Sequence, residues 1–597
     1  MKVTVTLLFK GKEISTRARA GQTLATIIEE AGLDLELPCG GHRDCGACRV
    51  HAQGLLSPPT AVELELLGEE KIGQGVRLAC KSKIRGAAEI IVPETLQAAN
   101  ILARGTARRT GFNPNISKKL LAPIIAAESS LLESVRKSLA ETGLAAAPEL
   151  EVAGPEKNSA GGVLTAVSRN GTVDLVEPGD TRAECFGLAV DVGTTTLVVS
   201  LVDLNSGREL DTISALNPQV TYGHDVVTRI TQVKGKQVSL RHLQEILVRE
   251  LDRLGRELCQ RHSLSPARIY EAAVAGNTCM MHLLLALDPV VLALAPYTSR
   301  IKGSVSVRAT ELGFRSLCRA HLYILPPISP FVGGDITAGI LATDLAAGPK
   351  PTLLIDIGTN GEVVLVTEDK IFACSVAAGP AFEGMNIACG MRAQPGAIEA
   401  VRIENDGPRL KVIGQGRPRG ICGSGLIDVV AQLREKELIN ARGRIAADCA
   451  APSLRSCLRD RDGKRSFLLF ADDRGRQVYI SQQDIRQVQL AKGACRAGIN
   501  LLLKEAAIGP AAVKRVWVAG AFGYHLKPAS LIKIGLLPRQ WHDRIAFAGN
   551  TAKVGALSVL LNRRLRDEAA GLVRSVMTVD LVSHPEFDRQ FIRAMLF

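Results

Sequence analysis

The chain has 597 residues, 46% hydrophobic and 22% charged, a globular composition that excludes a disordered or fibrous protein. Aromatic residues make up only 4%, too few for base-stacking surfaces, and the excess of 73 Lys and Arg over 60 Asp and Glu, +13 net, is modest, so nucleic acid is not expected as a partner. Fourteen cysteines are too sparse for a disulfide scaffold, and about 150 residues per domain implies three to four domains.

Residues 1–13 alternate like a strand and lack an apolar region followed by small residues, so they do not read as a secretory signal. The unit over 1–94 predicts short strands around one helix, with strands over 2–9 and 88–92 and a helix over 23–31. Residues 95–120 carry Arg104, Arg108, Arg109, Lys118 and Lys119 and no acid, and read as an exposed basic linker, partly helical. Residues 121–183 predict a small α+β middle domain, with a helix over 129–142 and strands over 150–153, 162–167 and 172–176. Over 184–597 strands and helices alternate, an α/β pattern. The most apolar stretch, 272–296, is interrupted by His282, Asp288 and Pro289 and predicts buried core, not a membrane span. The protein is therefore expected to be soluble and intracellular, with no membrane partner. There, clustered cysteines indicate metal or redox chemistry.

One such cluster stands in the first unit: Cys39-Gly-Gly-His-Arg-Asp-Cys45-Gly-Ala-Cys48, then Cys80, a spacing of C-x5-C-x2-C-x31-C. Four thiolates hold a [2Fe–2S] cluster, and the small residues Gly40, Gly41 and Gly46 let the loop wrap it with backbone N–H groups toward its sulfurs. The alternative is a structural zinc site, which usually draws its ligands as two close pairs; here three cysteines share one loop. The loop is one residue longer than the plant-type spacing and resembles the adrenodoxin-like ferredoxins.

A second constellation occurs twice. Leu188-Ala-Val-Asp191-Val-Gly193-Thr194-Thr195-Thr196 recurs as Leu353-Leu-Ile-Asp356-Ile-Gly358-Thr359-Asn360-Gly361, which predicts two similar lobes, each opening with a hairpin. No Walker A and no GxGxxG after a strand is present. In each hairpin the glycine permits close approach to a phosphate, the turn amides and hydroxyls donate to its oxygens, and Asp191 or Asp356 can hold Mg²⁺ through water. A single hairpin can also read as an ordinary tight turn; two in register argue for a clamp on the β- and γ-phosphates. Gly423-Ser424-Gly425, before a helical stretch over 426–433, and Gly520-Ala521-Phe522-Gly523, after a strand, would let backbone lie against adenine and ribose, although each alone also reads as a cap or turn. Asp335, after a glycine pair, and Glu383 are candidates for orienting the attacking water.

The two hairpins and the late Ala-Gly-Ala-Phe-Gly motif resemble the acetate and sugar kinase, Hsp70 and actin superfamily. Over nearly its full length the chain resembles the reductive activators of corrinoid proteins, through those motifs and through Asn217-Pro-Gln-Val-Thr-Tyr-Gly-His-Asp225-Val, Val274-Ala-Gly-Asn277-Thr, Phe331-Val-Gly-Gly334-Asp335, Ala378-Gly-Pro-Ala-Phe-Glu383-Gly and Gln487-Val-Gln-Leu-Ala-Lys492. The resemblance implies an N-terminal β-grasp [2Fe–2S] ferredoxin, a linker, a middle domain and a two-lobed actin-like (ribonuclease H-like) ATPase. It implies ATP-dependent delivery of one electron to an inactive Co(II) corrinoid protein, restoring Co(I). The implied partners are a corrinoid methyl-carrier protein, an upstream low-potential electron donor and a second copy of the chain in a homodimer, in the cytoplasm. Some relatives carry C-terminal [4Fe–4S] motifs, whereas 587–597 here contain no cysteine. Alternatives are electron donation to a radical dehydratase or another low-potential acceptor, a nucleotide-gated redox-sensing interaction protein, and a small-molecule kinase, which would need no cluster. The remaining ten cysteines are scattered and expected to pack as small hydrophobes, with Cys389 and Cys422 the two that a second cluster would draw on.

Overall fold

Buried and exposed residues alternate strictly along Ile84–Ile91, the mark of a strand with one packed face and one wet face. The computed structural model describes residues 2–9, 12–31, 48–92, 111–121, 131–153, 163–223, 225–445, 452–461, 463–473, 475–520 and 526–597. In it β1 (Lys2–Phe9), β2 (Lys12–Arg19), β3 (Arg49–Leu56), β4 (Val76–Leu78) and β5 (Ile84–Ile91) form a five-stranded sheet in the order β2-β1-β5-β3-β4. β1 pairs parallel with β5, and the helix Leu24–Glu30 adds Leu24, Ile27 and Ile28 to a core with Val5, Leu7 and Ile90, a β-grasp arrangement.

The next unit joins β6 (Ile116–Leu121), β7 (Ala145–Val152), β8 (Leu164–Arg169) and β9 (Thr172–Pro178) in the order β6-β8-β9-β7, with Val135 and Leu139 of the helix Leu131–Glu141 in its core. This corrects the reading of 95–120 as exposed linker at its C-terminal end. β6 is part of the sheet, and Lys118 is buried, its Nζ 2.6 Å from Glu177 Oε1 and 2.7 Å from the Tyr270 hydroxyl. Glu177 also pairs with Arg268 (2.6 Å) and Arg319. Burial pushes its carboxyl up, but the hydrogen bonds from Lys118 and Thr181 outweigh burial and hold it below its ordinary range. A buried carboxylate persists only when paired in this way, and here the pairing bolts the small sheet to residues 268–270 of the following lobe. Arg104, Arg108 and Arg109 lie outside the described residues.

Two six-stranded sheets follow. The first takes β10 (Phe186–Val192), β11 (Thr196–Asp203), β12 (Glu209–Leu216), β13 (Ile269–Gly276), β14 (Val305–Arg308) and β15 (His321–Ile324) in the order β12-β11-β10-β13-β15-β14. The second begins with β16 (Thr352–Ile357), β17 (Gly361–Val366) and β18 (Ile371–Val376). Two small sheets intervene, from β19 (Ala397–Glu404), β20 (Gly407–Val412) and β21 (Gly420–Ile421), and from β22 (Leu458–Arg461), β23 (Lys464–Ala471) and β24 (Gln477–Ser481). β25 (Arg515–Ala519), β26 (Ile545–Gly549) and β27 (Val576–Thr578) then complete the order β26-β25-β16-β17-β18-β27. In both lobes an antiparallel meander is followed by parallel strands on the other side of its first strand, so the sequence repeat is a structural repeat. The apolar stretch over 272–296 contains the end of β13 and the helix Thr278–Leu284, which are buried throughout. No helix among the described residues is long and apolar enough to cross a membrane.

The helices Gly334–Ala342 and Thr551–Leu561 pack face to face between the lobes. Gly555 makes this possible, since a Cβ there would overlap the Ala338 backbone. Lys553 Nζ is 2.8 Å from Glu209 Oε1, tying the second helix to the first lobe. At its far end the Leu561 carbonyl accepts from the Asn113 amide at 2.9 Å, and the Arg563 amide donates to the Asn113 carbonyl at 2.9 Å.

Candidate functional site

The two hairpins face one cavity of about 360 Å³ between the lobes. Its lining includes Asp191, Gly193, Thr194, Thr195, Thr196, Asp335, Asp356, Gly358, Thr359, Asn360, Glu383, Gly423 and Gly520, all singled out from the sequence. In the first hairpin the Gly193 amide donates to the Thr196 carbonyl at 3.0 Å, and a Cβ on Gly193 would lie 2.6 Å from that oxygen, so the turn admits no larger residue. Asp191 ends β10 and accepts from Asn550 Nδ2 at 2.8 Å, while Asn277 Nδ2 donates to Thr194 Oγ1 at 2.9 Å. In the second hairpin the Gly358 amide donates to the Asn360 carbonyl at 3.2 Å and Thr359 Oγ1 to Glu383 Oε1 at 2.8 Å. Asp335 stands in the first turn of its helix. The preceding Gly333 could carry no Cβ, which would come within 2.7 Å of both Asp335 Oδ1 and the Thr278 amide.

Ser424 and Gly425 do not line the cavity. Ser424 is buried at 3.4 Å from Cys422 Sγ, and Gly425 packs so closely that a Cβ would overlap the Ile398 carbonyl. Their glycine-rich pattern thus records close packing of the helix Gly423–Glu435 beside β19 as much as ligand access. Gly520 has φ +114°, a conformation open to glycine, and packs over the Ile357 carbonyl at the end of β16. Ala521, Phe522 and Gly523 lie outside the described residues.

The cavity is acidic. Burial pushes Asp191 up to about 6, against the Asn550 hydrogen bond. Burial, reinforced by the Asp191 charge, pushes Asp335 up to about 7; burial together with Asp335, Asp191 and Glu383 does the same to Asp356. Glu362, opposite Asp356 across the β16–β17 ladder, and Glu383 are also raised, chiefly by burial. Among the described lining residues Arg392 is the one cation. Carboxyls crowded in this way call for a divalent cation or for protons. Among the described residues no three acidic, His or Cys side chains converge at metal-ligand spacing. The Thr551 hydroxyl, also on the lining, is buried without a hydrogen-bond partner, a polar atom left for a ligand.

Sequence reasoning missed Glu362 and Asn550. Alignment of the two repeats shows the first: Leu197 follows the turn in one copy and Glu362 in the other, an acid in an otherwise apolar strand. Asn550 carries only the signature of a helix N-cap, which it also is, accepting from the Lys553 amide at 2.9 Å.

In the N-terminal unit Cys48 and Cys80 meet with sulfurs 3.2 Å apart. The Cys80 hydrogen bond outweighs burial and draws the Cys48 thiol down to about 6, toward the thiolate that ligates metal. Glu63, third residue of the helix Ala61–Gly73, fixes the chain on both sides of Cys80: Leu78 N donates to Oε1 at 3.1 Å and Ser82 Oγ at 2.6 Å, while Arg77 spans both oxygens at 3.0 and 3.2 Å. Cys39 and Cys45 lie outside the described residues, so the pair that is described fits half of the expected ligand set. Of the other cysteines, Cys185, Cys259, Cys279, Cys374, Cys422 and Cys495 are buried. Cys389 accepts through its carbonyl from the amide of Ile421, the neighbour of Cys422, at 2.7 Å, whereas Cys422 turns to Ile398, whose carbonyl lies 3.2 Å from its amide and 3.3 Å from its Sγ.

Three family models match the chain: "2Fe-2S iron-sulfur cluster binding domain" over 8–85, "RACo middle region" over 186–347 and "C-terminal domain of RACo the ASKHA domain" over 350–597. The chain is 30% identical over 619 aligned residues to the corrinoid activation enzyme RamQ of Eubacterium limosum, covering 100% of this chain and 99% of that protein. It is 26% identical over 406 residues to the [Co(II) methylated amine-specific corrinoid protein] reductase of Methanosarcina barkeri, covering 66% and 73% of the two chains. Its fold matches the solved structure of a reductive activator for a corrinoid, iron-sulfur protein with a TM-score of 0.74 and 30% identity, over 100% of this chain and 98% of that one.

Proposed function

This chain belongs to the reductive activators of corrinoid proteins, and we propose that it uses ATP to pass one electron from a [2Fe–2S] cluster to a Co(II) corrinoid methyl-carrier protein, regenerating Co(I). The observation that carries the proposal is the union in one chain of a paired cluster-type cysteine site and an interlobe cleft that both phosphate hairpins face.

Cys48 and Cys80, with Cys39 and Cys45, would hold the cluster, which would supply a one-electron carrier; plant-type [2Fe–2S] centres lie at about −400 mV. The Co(II)/Co(I) couple of a ligated corrinoid is expected to be lower, and each ~59 mV of mismatch costs tenfold in a one-electron equilibrium. An electron carrier alone therefore leaves little Co(I), and work must come from elsewhere. The protein's own residues are suited to supply it. Thr194, Thr195 and Thr359 would grip phosphate oxygens from the two lobes, so nucleotide binding draws the lobes together. Asp191 and Asp356 would hold Mg²⁺ through water, and Asp335 or Glu383 would orient the attacking water. Closure is a two-state motion that a bound partner can sense. The partner's axial ligand would be released in one state, raising the cobalt potential, and ATP turnover would reset the complex. An upstream low-potential donor would re-reduce the cluster. We propose a homodimer acting in the cytoplasm.

The test mixes reduced protein with a Co(II) corrinoid protein under anaerobic conditions, with and without Mg-ATP, and follows the Co(I) spectrum. Catalytic Co(I) formation that requires Mg-ATP is expected. Stoichiometric activation to which ATP adds neither rate nor turnover would refute the coupling.

A further inference from the structure

The carbonyls of the first hairpin turn are all tied from behind. Gly193 O accepts from Asn217 Nδ2 at 2.9 Å, Thr194 O accepts from Arg229 Nη2, and Thr195 O accepts from the Asn217 amide at 2.9 Å. With its oxygens turned away, the turn leaves the amides of Thr194 and Thr195 without an acceptor among the described residues. Successive free amides beside a cavity form an anion-binding nest.

Arg229 is the unusual member. It is fully buried, and its remaining donors meet only neutral acceptors: the Gly223 carbonyl at 2.9 Å, Gln219 Oε1 at 3.2 Å and Met280 Sδ at 3.1 Å. Its hydrogen bonds among the described residues include no carboxylate. Burial draws its guanidinium down to about 10, which still leaves it charged at neutral pH. Asp225 acts on it through space without forming an ion pair, and a buried cation held only in that way is costly unless a further anion comes near it. Across one peptide unit from it lies the cavity where the triphosphate would bind. Among the described residues no side chain ties back the carbonyls of the second hairpin in this way; Glu362 and Glu383 stand beside it. Carboxyls flank both turns, Asp191 the first and Asp356 the second, and a buried cation stands behind the first.

We infer that Arg229 is a positioning residue for the phosphate chain of the nucleotide: it holds the Thr194 carbonyl outward so that the turn amides face the cleft, and it supplies positive charge to the first hairpin. The inference rests on the nucleotide reading above. Asn217 completes the same scaffold from the other two carbonyls.

The experiment compares full-length, cluster-loaded wild type, Arg229→Gln and Arg229→Lys for binding of Mg-ATP and of adenosine by equilibrium dialysis. Arg229→Gln is expected to weaken ATP at least tenfold and to leave adenosine within twofold; Arg229→Lys, which keeps the charge, is expected to recover most of the loss. Wild type that binds no ATP would remove the nucleotide reading itself. Wild type that binds ATP, with Arg229→Gln binding it equally well, overturns this inference alone, as does an equal loss for both ligands. Should Arg229→Gln not fold, amide exchange in the unmodified protein decides: residues 193–196 must slow with ATP and not with adenosine, and unchanged exchange with ATP overturns the inference.

Discussion

Replacing Glu63 by Gln removes one charge from the helix that braces the segment carrying Cys80 and leaves the shape intact. Glu63 is fully buried and uses both oxygens: Oε1 accepts from Arg77, Leu78 N and Ser82, and Oε2 from Arg77 and the Thr60 amide at 3.0 Å. Two routes give the magnitude. Burial alone would raise its carboxyl, but the Arg77 and Ser82 hydrogen bonds pull it from 4.5 to about 2, worth about 3 kcal/mol at ~1.4 kcal/mol per unit. Independently, removing one partner of a buried ion pair costs about 3–5 kcal/mol because the other charge stays buried; Arg77 is only 6% exposed. For a domain of this size each kcal/mol lowers Tm by about 4–8 °C, so Glu63→Gln should lose its cluster absorbance on heating at least about 12 °C below wild type. The sign with pH is also determined. A depressed carboxyl stabilises fully above its unfolded value, and that contribution is lost as pH falls from 4.5 toward 2. The difference between variant and wild type should therefore be constant above about pH 5 and shrink below it. A shift under about 4 °C at pH 7 would refute the reasoning.

Three further outcomes are expected. Gly555→Val, forced against the Ala338 backbone, should cost about 1–3 kcal/mol of stability, read by urea unfolding, and weaken nucleotide binding. The cleft carboxyls bear on pH in the opposite sense to Glu63: raised to about 6 and 7 when folded, they destabilise once ionised. Without Mg²⁺, thermal stability of the two-lobed part should fall from about pH 4 to pH 7, and Mg-nucleotide should restore it and bind more tightly as pH rises through that window. Iron analysis should give about two irons per chain, and Cys80→Ser should abolish visible absorbance while leaving ATP binding intact; about four irons would point to a second cluster.

Legibility followed the range of the interactions. The hairpins around Gly193 and Gly358 are local: a strand, a glycine turn and a second strand within a dozen residues, so both their position and their pairing were readable. The cysteine spacing was readable for the same reason. Lys118 was misread because composition describes its neighbours in sequence, whereas its partners Glu177 and Tyr270 come from later strands. Gly425 illustrates the reverse case: a glycine that looked ligand-facing serves a backbone contact with Ile398. Asn550 and Arg229 act on Asp191 and Thr194 from distant elements, and no local pattern announces such pairings.

The helix Thr551–Leu561 begins beside Asn550, which holds Asp191, and ends where Leu561 and Arg563 clasp Asn113, just ahead of β6 of the small sheet. Its eleven residues make a rod about 16 Å long. Pivoting that rod by about 10° at the phosphate end carries its other end through about 3 Å, a distance comparable to the 2.9 Å hydrogen bonds with which it grips Asn113. The lever arm is therefore long enough to carry a shift beside Asp191 out to Asn113 and the small sheet that follows it.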